Sequence, residues 1–436
     1  MSVTGTTIDG NQANGTGADQ GGGGVFNSSG VLNLNNVTLS NNIANSGNGS
    51  GGGGFNDQGT LNVRNSSVTD NNLCGLAYLR PSGTIENVVF SGNVGGAVCP
   101  LLGTSGDDVI VVTNSSITIN ADVLNYINSP FPITIESMAG EDRFDIRSTD
   151  VDNPLTVDAG DDNDVINISS DAPTNDGSLN GILGNINVIG GNDVPGPAFN
   201  ASVTANGTTV SQSIDSGDSL FISDQSSAAA NTYRLTDTTF QRTGAAATGL
   251  ITYNTVEQIS IETGSGNDTF DLVDTATDVF TSVTTGPGND IVNISDTAGN
   301  GILNLSTNSG GDVVNVTTTG AASVSLLNTG DGNDDVNVTT TGNASGLGIQ
   351  AGTGIDLANI LDTGADTATL VALEDGNDIM NVRRLAGDGL DAGLVPAQLQ
   401  VLGGGGNERM FHRRQERERS QGRRATETWT ESLVTW

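Results

Sequence analysis

Along the second half of the chain, apolar and polar residues alternate in short bursts, and the bursts recur at one interval. "GSGNDTFDL" begins at Gly264, and its relatives "GPGNDIVNI", "GDGNDDVNV" and "EDGNDIMNV" begin at Gly286, Gly330 and Glu374. With the Asp of each phrase as anchor, the series is Asp268, Asp290, Asp312, Asp334, Asp356 and Asp378, with a constant 22-residue step. Asp142 and Asp164 keep the same step, and looser copies sit at Asp108 and Asp193. Two residues after the anchors stand Phe270, Val292, Val314, Val336, Ala358 and Met380; four after stand Leu272, Ile294, Val316, Val338, Ile360 and Val382. The residue between them is polar, Asp271 and then Asn293, Asn315, Asn337, Asn359 and Asn381. This alternation predicts a strand with one buried face. A third apolar column, Val283, Leu305, Leu327, Ile349 and Val371, predicts a second strand in each repeat. Gly, Asn, Asp and Ser fill the turns, where they accept left-handed or side-chain-bonded geometry at little cost. A fixed period of this size predicts a solenoid of stacked turns around a thin aliphatic core.

The pattern divides the chain. In residues 1–100 the period lies nearer 30: "GGGGVFNSSGVLNLNNVTLSNN" from Gly21 is echoed by "GGGGFNDQGTLNVRNSSVTDNN" from Gly51 and, in shorter form, by "GTIENVVFSGNVGGAV" from Gly83. Residues 101–193 carry the first 22-residue repeats, residues 194–262 break the period but still alternate like strands and are expected to form an expanded β-rich insert, and residues 263–406 are the regular solenoid. From 407 to 436 the repeat and the composition fail together: both tryptophans, His412 and seven of the fifteen arginines fall in this tail. A short charged helix that docks, or a foreign end that is not part of the fold, would each explain it, and the second is the expectation. "TTIDGNQAN" from Thr6 aligns with the middle of a later turn, so the sequence is expected to be a fragment of a longer polypeptide.

Composition agrees with a solenoid. Aromatic residues make up 4% of the 436, too few for a globular core of this length but enough where ladders of Val, Ile and Leu fill a narrow interior. The net charge is −35 and no lysine occurs, so nucleic acid and anionic membranes would be repelled and cations attracted. No apolar run of about 18 residues predicts a transmembrane segment, and no signal peptide is visible. Cys74 and Cys99 are 25 residues apart in sequence. On adjacent turns their Cα atoms would lie roughly 5 Å apart, which suits a disulfide, and two free thiols are equally compatible.

Two resemblances follow from quoted residues. "FSGN" at Phe90–Asn93 and "GGAV" at Gly95–Val98 resemble the right-handed β-helix repeats of bacterial polymorphic outer-membrane proteins and autotransporter passengers. The resemblance covers about the first 100 residues and implies an all-β, right-handed parallel β-helix or β-solenoid with about 22–30 residues per turn. "TGSGNDTFD" from Thr263 resembles the repeats-in-toxin nonapeptide, with Gly264, Gly266, Asp268 and Phe270 in place. That family lays its nonapeptides in tandem, whereas here one copy occurs per 22-residue repeat. The resemblance implies Ca²⁺ held along one edge by loop carbonyls and by Asp142, Asp164, Asp268, Asp290, Asp312, Asp334, Asp356 and Asp378. The other reading of these aspartates is that they only close turns.

Many β-helices act on polysaccharides, and such sites cluster carboxylates with Arg or Lys on one face. Arg143 and Arg147 flank the Asp142 loop, but an exposed ion pair is the simpler reading, and no nucleophile–His set, phosphate loop or zinc spacing occurs. The expectation is a non-enzymatic, structural or adhesin-like part of a large secreted or cell-surface bacterial repeat protein that meets an unknown surface or matrix partner. The alternative is a polysaccharide lyase or hydrolase.

Overall fold

A computed structural model describes residues 1–14, 22–45, 51–174, 176–385, 397–414 and 428–434. The described residues form strands, turns and bridges with no helix, and the strands pair mainly in parallel. The chain is an all-β parallel solenoid, as the periodicity predicts, and among the described residues no helix is long and apolar enough to cross a membrane. It divides into two compact units. The first comprises Met1–Asn175, Leu179–Val194 and Thr248–Val256; the second comprises Asp176–Ser178, Pro195–Ala247 and Glu257–Trp436.

In the first unit the Gly-rich turns stack on three faces. Val31–Asn35, Thr60–Arg64 and Gly83–Glu86 pair in parallel, with Leu34, Val63 and Ile85 in one buried column. Thr38–Ser40, Ser67–Thr69 and Val89–Ser91 make the second face, and Val25–Asn27, Gly54–Asn56 and Leu76–Tyr78 the third. Each turn corner is closed by amides: Asn42 accepts the N–H of Asn11, Asn71 that of Asn42, and Asn93 that of Asn71, at 3.0–3.1 Å. These side chains satisfy backbone donors that the corner leaves without a sheet partner. Cys74 and Cys99 are joined as a disulfide with their Cα atoms 5.2 Å apart. From 101 onward two parallel sheets remain, one through Ile133–Glu136, Leu155–Asp161 and Ile186–Asn192, the other through Val109–Val112, Arg143–Ile146 and Val165–Ile168.

The second unit is the regular solenoid. Its register is continuous from rung to rung: Val292 pairs with Val314, Val314 with Val336, Val336 with Ala358 and Ala358 with Met380. All three predicted aliphatic columns are buried. The Asn column stands half-buried on the other side of the same strands, where each amide donates to the one before it at 2.7–3.1 Å, from Asn293 onto Asp271 through to Asn381 onto Asn359.

Within residues 194–262, Phe199–Ala205 and Thr208–Ile214 form an antiparallel hairpin. Its apolar face, with Ala201, Val203, Ala205 and Ile214, lies on Ile302, Val324 and Ala368, and Phe199 stacks on Phe280 at 4.6 Å. A second hairpin, Thr232–Leu235 with Thr239–Thr243, supplies the strand on which Thr269–Leu272 stacks. The chain after Gly406 begins as a further rung: Glu408–Arg414 pairs in parallel with Ile379–Val382, then in antiparallel with Thr428–Val434. Glu408 takes the place of the next anchor after Asp378. The sequence hides this rung because the step between those two residues is longer than the regular one.

Candidate functional site

The repeated phrase builds the site. The Gly two residues before the anchor is required by close approach between rungs. Gly288, Gly310, Gly332 and Gly354 have φ of +152°, +146°, +154° and +152°, and a Cβ on Gly310, Gly332 or Gly354 would strike the carbonyl oxygen of the corresponding glycine one rung earlier. That tight corner delivers the anchor to the start of the strand, on the same side as the apolar columns two and four residues later. Asp268, Asp290, Asp312, Asp334, Asp356 and Asp378 are therefore buried, at 2% exposure or less.

Each anchor uses one oxygen in the same way. Asp290 Oδ1 accepts the backbone N–H of Asp268 at 2.7 Å, Asp312 that of Asp290 at 2.8 Å, and Asp334 that of Asp312 at 2.8 Å. Asp356 and Asp378 repeat the bond onto Asp334 and Asp356 at 2.9 Å. The column starts at Asn231, which stands at the equivalent position and whose backbone N–H donates to Asp268 Oδ1 at 2.8 Å. In the first unit Asp142 accepts the N–H of Asp108 and Asp164 that of Asp142, both at 2.7 Å. All eight candidate aspartates thus lie in two inward-facing columns, six in the second unit and two in the first.

The second oxygen is treated differently. Oδ2 of Asp142, Asp268, Asp290, Asp312, Asp334, Asp356 and Asp378 is buried without an aligned hydrogen-bond donor. A hydroxyl column that the sequence reading missed stands beside it. Thr263, Thr285, Thr307 and Thr329 each precede an anchor by five residues, and their hydroxyls lie against Asp268, Asp290, Asp312 and Asp334. Three of these hydroxyls send their proton elsewhere: Thr263 to the Thr285 carbonyl at 2.6 Å, Thr307 to the Thr329 carbonyl at 3.0 Å and Thr329 to the Ala351 carbonyl at 2.9 Å. The recurrence of Thr at one offset from the anchor was the available signal.

Burial raises the pKa of the carboxyls along both columns, making them weaker acids. It pushes the Asp142, Asp290 and Asp356 carboxyls up to about 6, Asp334 up to about 7 and Asp164 up to about 8, with neighbouring carboxylates adding to the effect. Asp268, Asp312 and Asp378 are also raised, chiefly by burial.

This donor set does not fit calcium at the anchors. Calcium takes six to eight oxygens at about 2.3–2.6 Å. Here one carboxylate oxygen of each anchor is met by an N–H. The loop carbonyls of Ser309, Asp331, Thr353 and Asp375 likewise each accept an N–H, from Gly288, Gly310, Gly332 and Gly354, at 2.8–2.9 Å. Each anchor therefore offers a cation a single carboxylate oxygen, Oδ2, far short of the shell calcium takes.

The residues that could have signalled catalysis are dispersed or closed off. Arg143 pairs with Asp145 at 3.2 Å, and Arg147 donates to the Ala172 carbonyl at 2.9 Å, so neither arms Asp142. A buried cluster escaped the sequence reading: Arg242 Nη1 and the Tyr233 hydroxyl both donate to Asp224 Oδ2 at 2.7 Å, and all three residues are at most 3% exposed. Compared with protein-family models and with curated proteins, the chain matches none.

Proposed function

We propose that the chain is a structural, adhesin-like β-solenoid, one section of a larger secreted or cell-surface protein, whose work is to hold an extended, repetitive surface in place. The observation that carries this reading is the uniformity of the rungs. The same residue type recurs at the same place from Asn293 to Asn381 outside and from Asp268 to Asp378 inside, and no rung among the described residues departs from the ladder to gather carboxylates and a cation in an open groove. The one close arginine–carboxylate–tyrosine cluster among the described residues is sealed in the interior, out of reach of a polymer. The Cys74–Cys99 disulfide supports an oxidising destination, since such bonds persist mainly in exported proteins. The acidic, lysine-free composition supports a partner that is neutral or cationic rather than a nucleic acid.

The test pairs a turnover assay with a binding assay. The full chain is incubated with acidic and neutral polysaccharides while unsaturated products and new reducing ends are followed, and labelled chain is titrated onto bacterial and matrix surfaces. Saturable attachment without product is expected. Product formation that grows with protein concentration would replace this reading with a polysaccharide lyase or hydrolase.

A further inference from the structure

We propose that the buried anchor columns hold protons rather than metal: in the folded chain their aspartates are neutral carboxylic acids, and the solenoid takes up protons as it folds.

Counting hydrogens leads there. Asp312 Oδ1 has its donor in the Asp290 N–H. The Asp312 carboxyl lies against the Thr307 hydroxyl, whose single proton is committed to the Thr329 carbonyl, and Asp312 Oδ2 is buried with no aligned donor. The Thr oxygen still has a lone pair, so two acceptors face each other and the contact is one proton short. A proton on Oδ2 completes the chain from acid to hydroxyl to carbonyl. Asp268 with Thr263 and Asp334 with Thr329 repeat the arrangement, whereas the Thr285 hydroxyl beside Asp290 is given to no carbonyl and the crowding there comes from Asp268 and Asp312. Ser137 stands in the same relation to Asp142, its hydroxyl bonded to the Ala159 carbonyl. Before Asp356 and Asp378 the hydroxyl position is occupied by Ala351 and Leu373, so an ionised Oδ2 would face apolar surroundings there. A buried ionised oxygen without a donor is more costly than a neutral acid.

Asp108, at the head of the first column, shows what a donor-rich anchor looks like. It accepts the Thr104 N–H at 2.6 Å, the Thr104 hydroxyl at 3.1 Å and the Asn120 amide at 2.5 Å, so both of its oxygens are met. None of the inner anchors of the second unit has such a set.

The charged groups around the columns do not substitute for the proton. Asp290 and Asp334 face their neighbours in the column, Asp268 and Asp312 for the first, Asp312 and Asp356 for the second. Asp356 faces Asp378, Asp335 and Glu374, and Asp378 faces Glu408. Asp268 faces Asp224, which Arg242 already holds. In the first unit Asp142 faces Asp107 and Asp108, and Asp164 faces Asp142, Asp162 and Asp193. The arginines next to column members turn away: Arg143 goes to Asp145, and Arg409, beside Glu408, is exposed. Every neighbour identified is acidic, and like charges at one rung spacing favour protonation.

The sign of the linkage follows. These carboxyls are raised in the folded state, so the folded chain binds more protons than the unfolded chain between the ordinary Asp range near 4 and the raised values of about 6 to 8. Stability is greatest at the acid end of that window and falls as pH rises through it. Each such group lowers the folding constant about tenfold per pH unit while it is neutral folded and ionised unfolded.

The experiment uses metal-stripped full chain. Infrared spectra at about pH 5.5, where exposed aspartates are ionised, should contain a protonated-carboxyl stretch that weakens in the Asp312→Asn, Asp334→Asn double variant and fades as wild type is titrated to about pH 8.5. Unfolding by urea should become easier over the same range, with a flatter pH dependence in the double variant whatever its absolute stability. Calcium should add no more than sodium chloride at matched ionic strength. If the variant does not fold, the wild-type titration decides alone. An absent band, stability that rises with pH across the window, or a calcium effect beyond matched salt would each overturn the proposal.

Discussion

Replacing Arg242 by Met probes the buried cluster at the start of the second unit's regular repeats. The guanidinium is 3% exposed and lies 2.7 Å from Asp224, which is fully buried and also receives the Tyr233 hydroxyl. Arg242 further donates to the Ala246 carbonyl at 2.8 Å, which ties the end of the hairpin strand to its loop. Methionine fills much of the same volume but leaves Asp224 without its charge partner. Removing one member of a buried ion pair typically costs about 3–5 kcal/mol, roughly two to four powers of ten in the folding constant. The Asp224→Asn, Arg242→Met double variant keeps an acceptor for Tyr233 and removes the stranded charge, so it should recover more than half of the loss. Urea unfolding at neutral pH, followed by near-ultraviolet circular dichroism to which Tyr233 contributes, measures both. A single variant within about 1 kcal/mol of wild type, or a double variant no better than the single, would show that the pair does not hold this part of the fold together.

Gly332→Ala should destabilise by about 1–3 kcal/mol from backbone strain alone, and more from the contact with the Gly310 carbonyl, as urea unfolding would measure. Gly311→Ala, whose added carbon would meet nothing nearer than 3.4 Å, should stay within about 0.5 kcal/mol of wild type. Reducing or removing the Cys74–Cys99 bridge, which spans a sequence separation of 25, should cost about 3–4 kcal/mol by loop entropy, and thiol labelling of the oxidised, denatured chain should find no free cysteine. Val203→Asp should place a charge between the hairpin and the sheet at a site 3% exposed; limited proteolysis should then cut residues 199–214 faster while far-ultraviolet dichroism of the solenoid persists.

The aliphatic columns were legible because a 22-residue period and a two-residue alternation specify rung and face together, and Val292, Val314 and Val336 stack as those two periods require. The hairpin of 199–214 fell inside a segment expected to be β-rich, but its part as a cover for the sheet was not legible, because its partners Ile302, Val324 and Ala368 lie far downstream in the chain and nothing local announces them. The rung at Glu408 was masked by a longer spacing and by Glu in the place of Asp, although "GGGGNE" keeps the glycines of the phrase. The anchors are the instructive case. Resemblance to a calcium repeat puts their carboxylates on an outer edge, yet Asp268, Phe270 and Leu272 stand at i, i+2 and i+4, and in an extended segment those three share one face. If Phe270 and Leu272 face the core, so does Asp268. Placed there, the carboxylate finds its donor in the backbone of the neighbouring turn, since the aliphatic columns offer none and the Thr263, Thr307 and Thr329 hydroxyls beside it give their protons to carbonyls. The turn has such a donor in the N–H of the preceding anchor, which the tight glycine corner brings within reach. The same Asp therefore recurs in every rung because each one completes the bond offered by the rung before it, and the crowding of carboxyls that results is a consequence of that bond rather than its purpose.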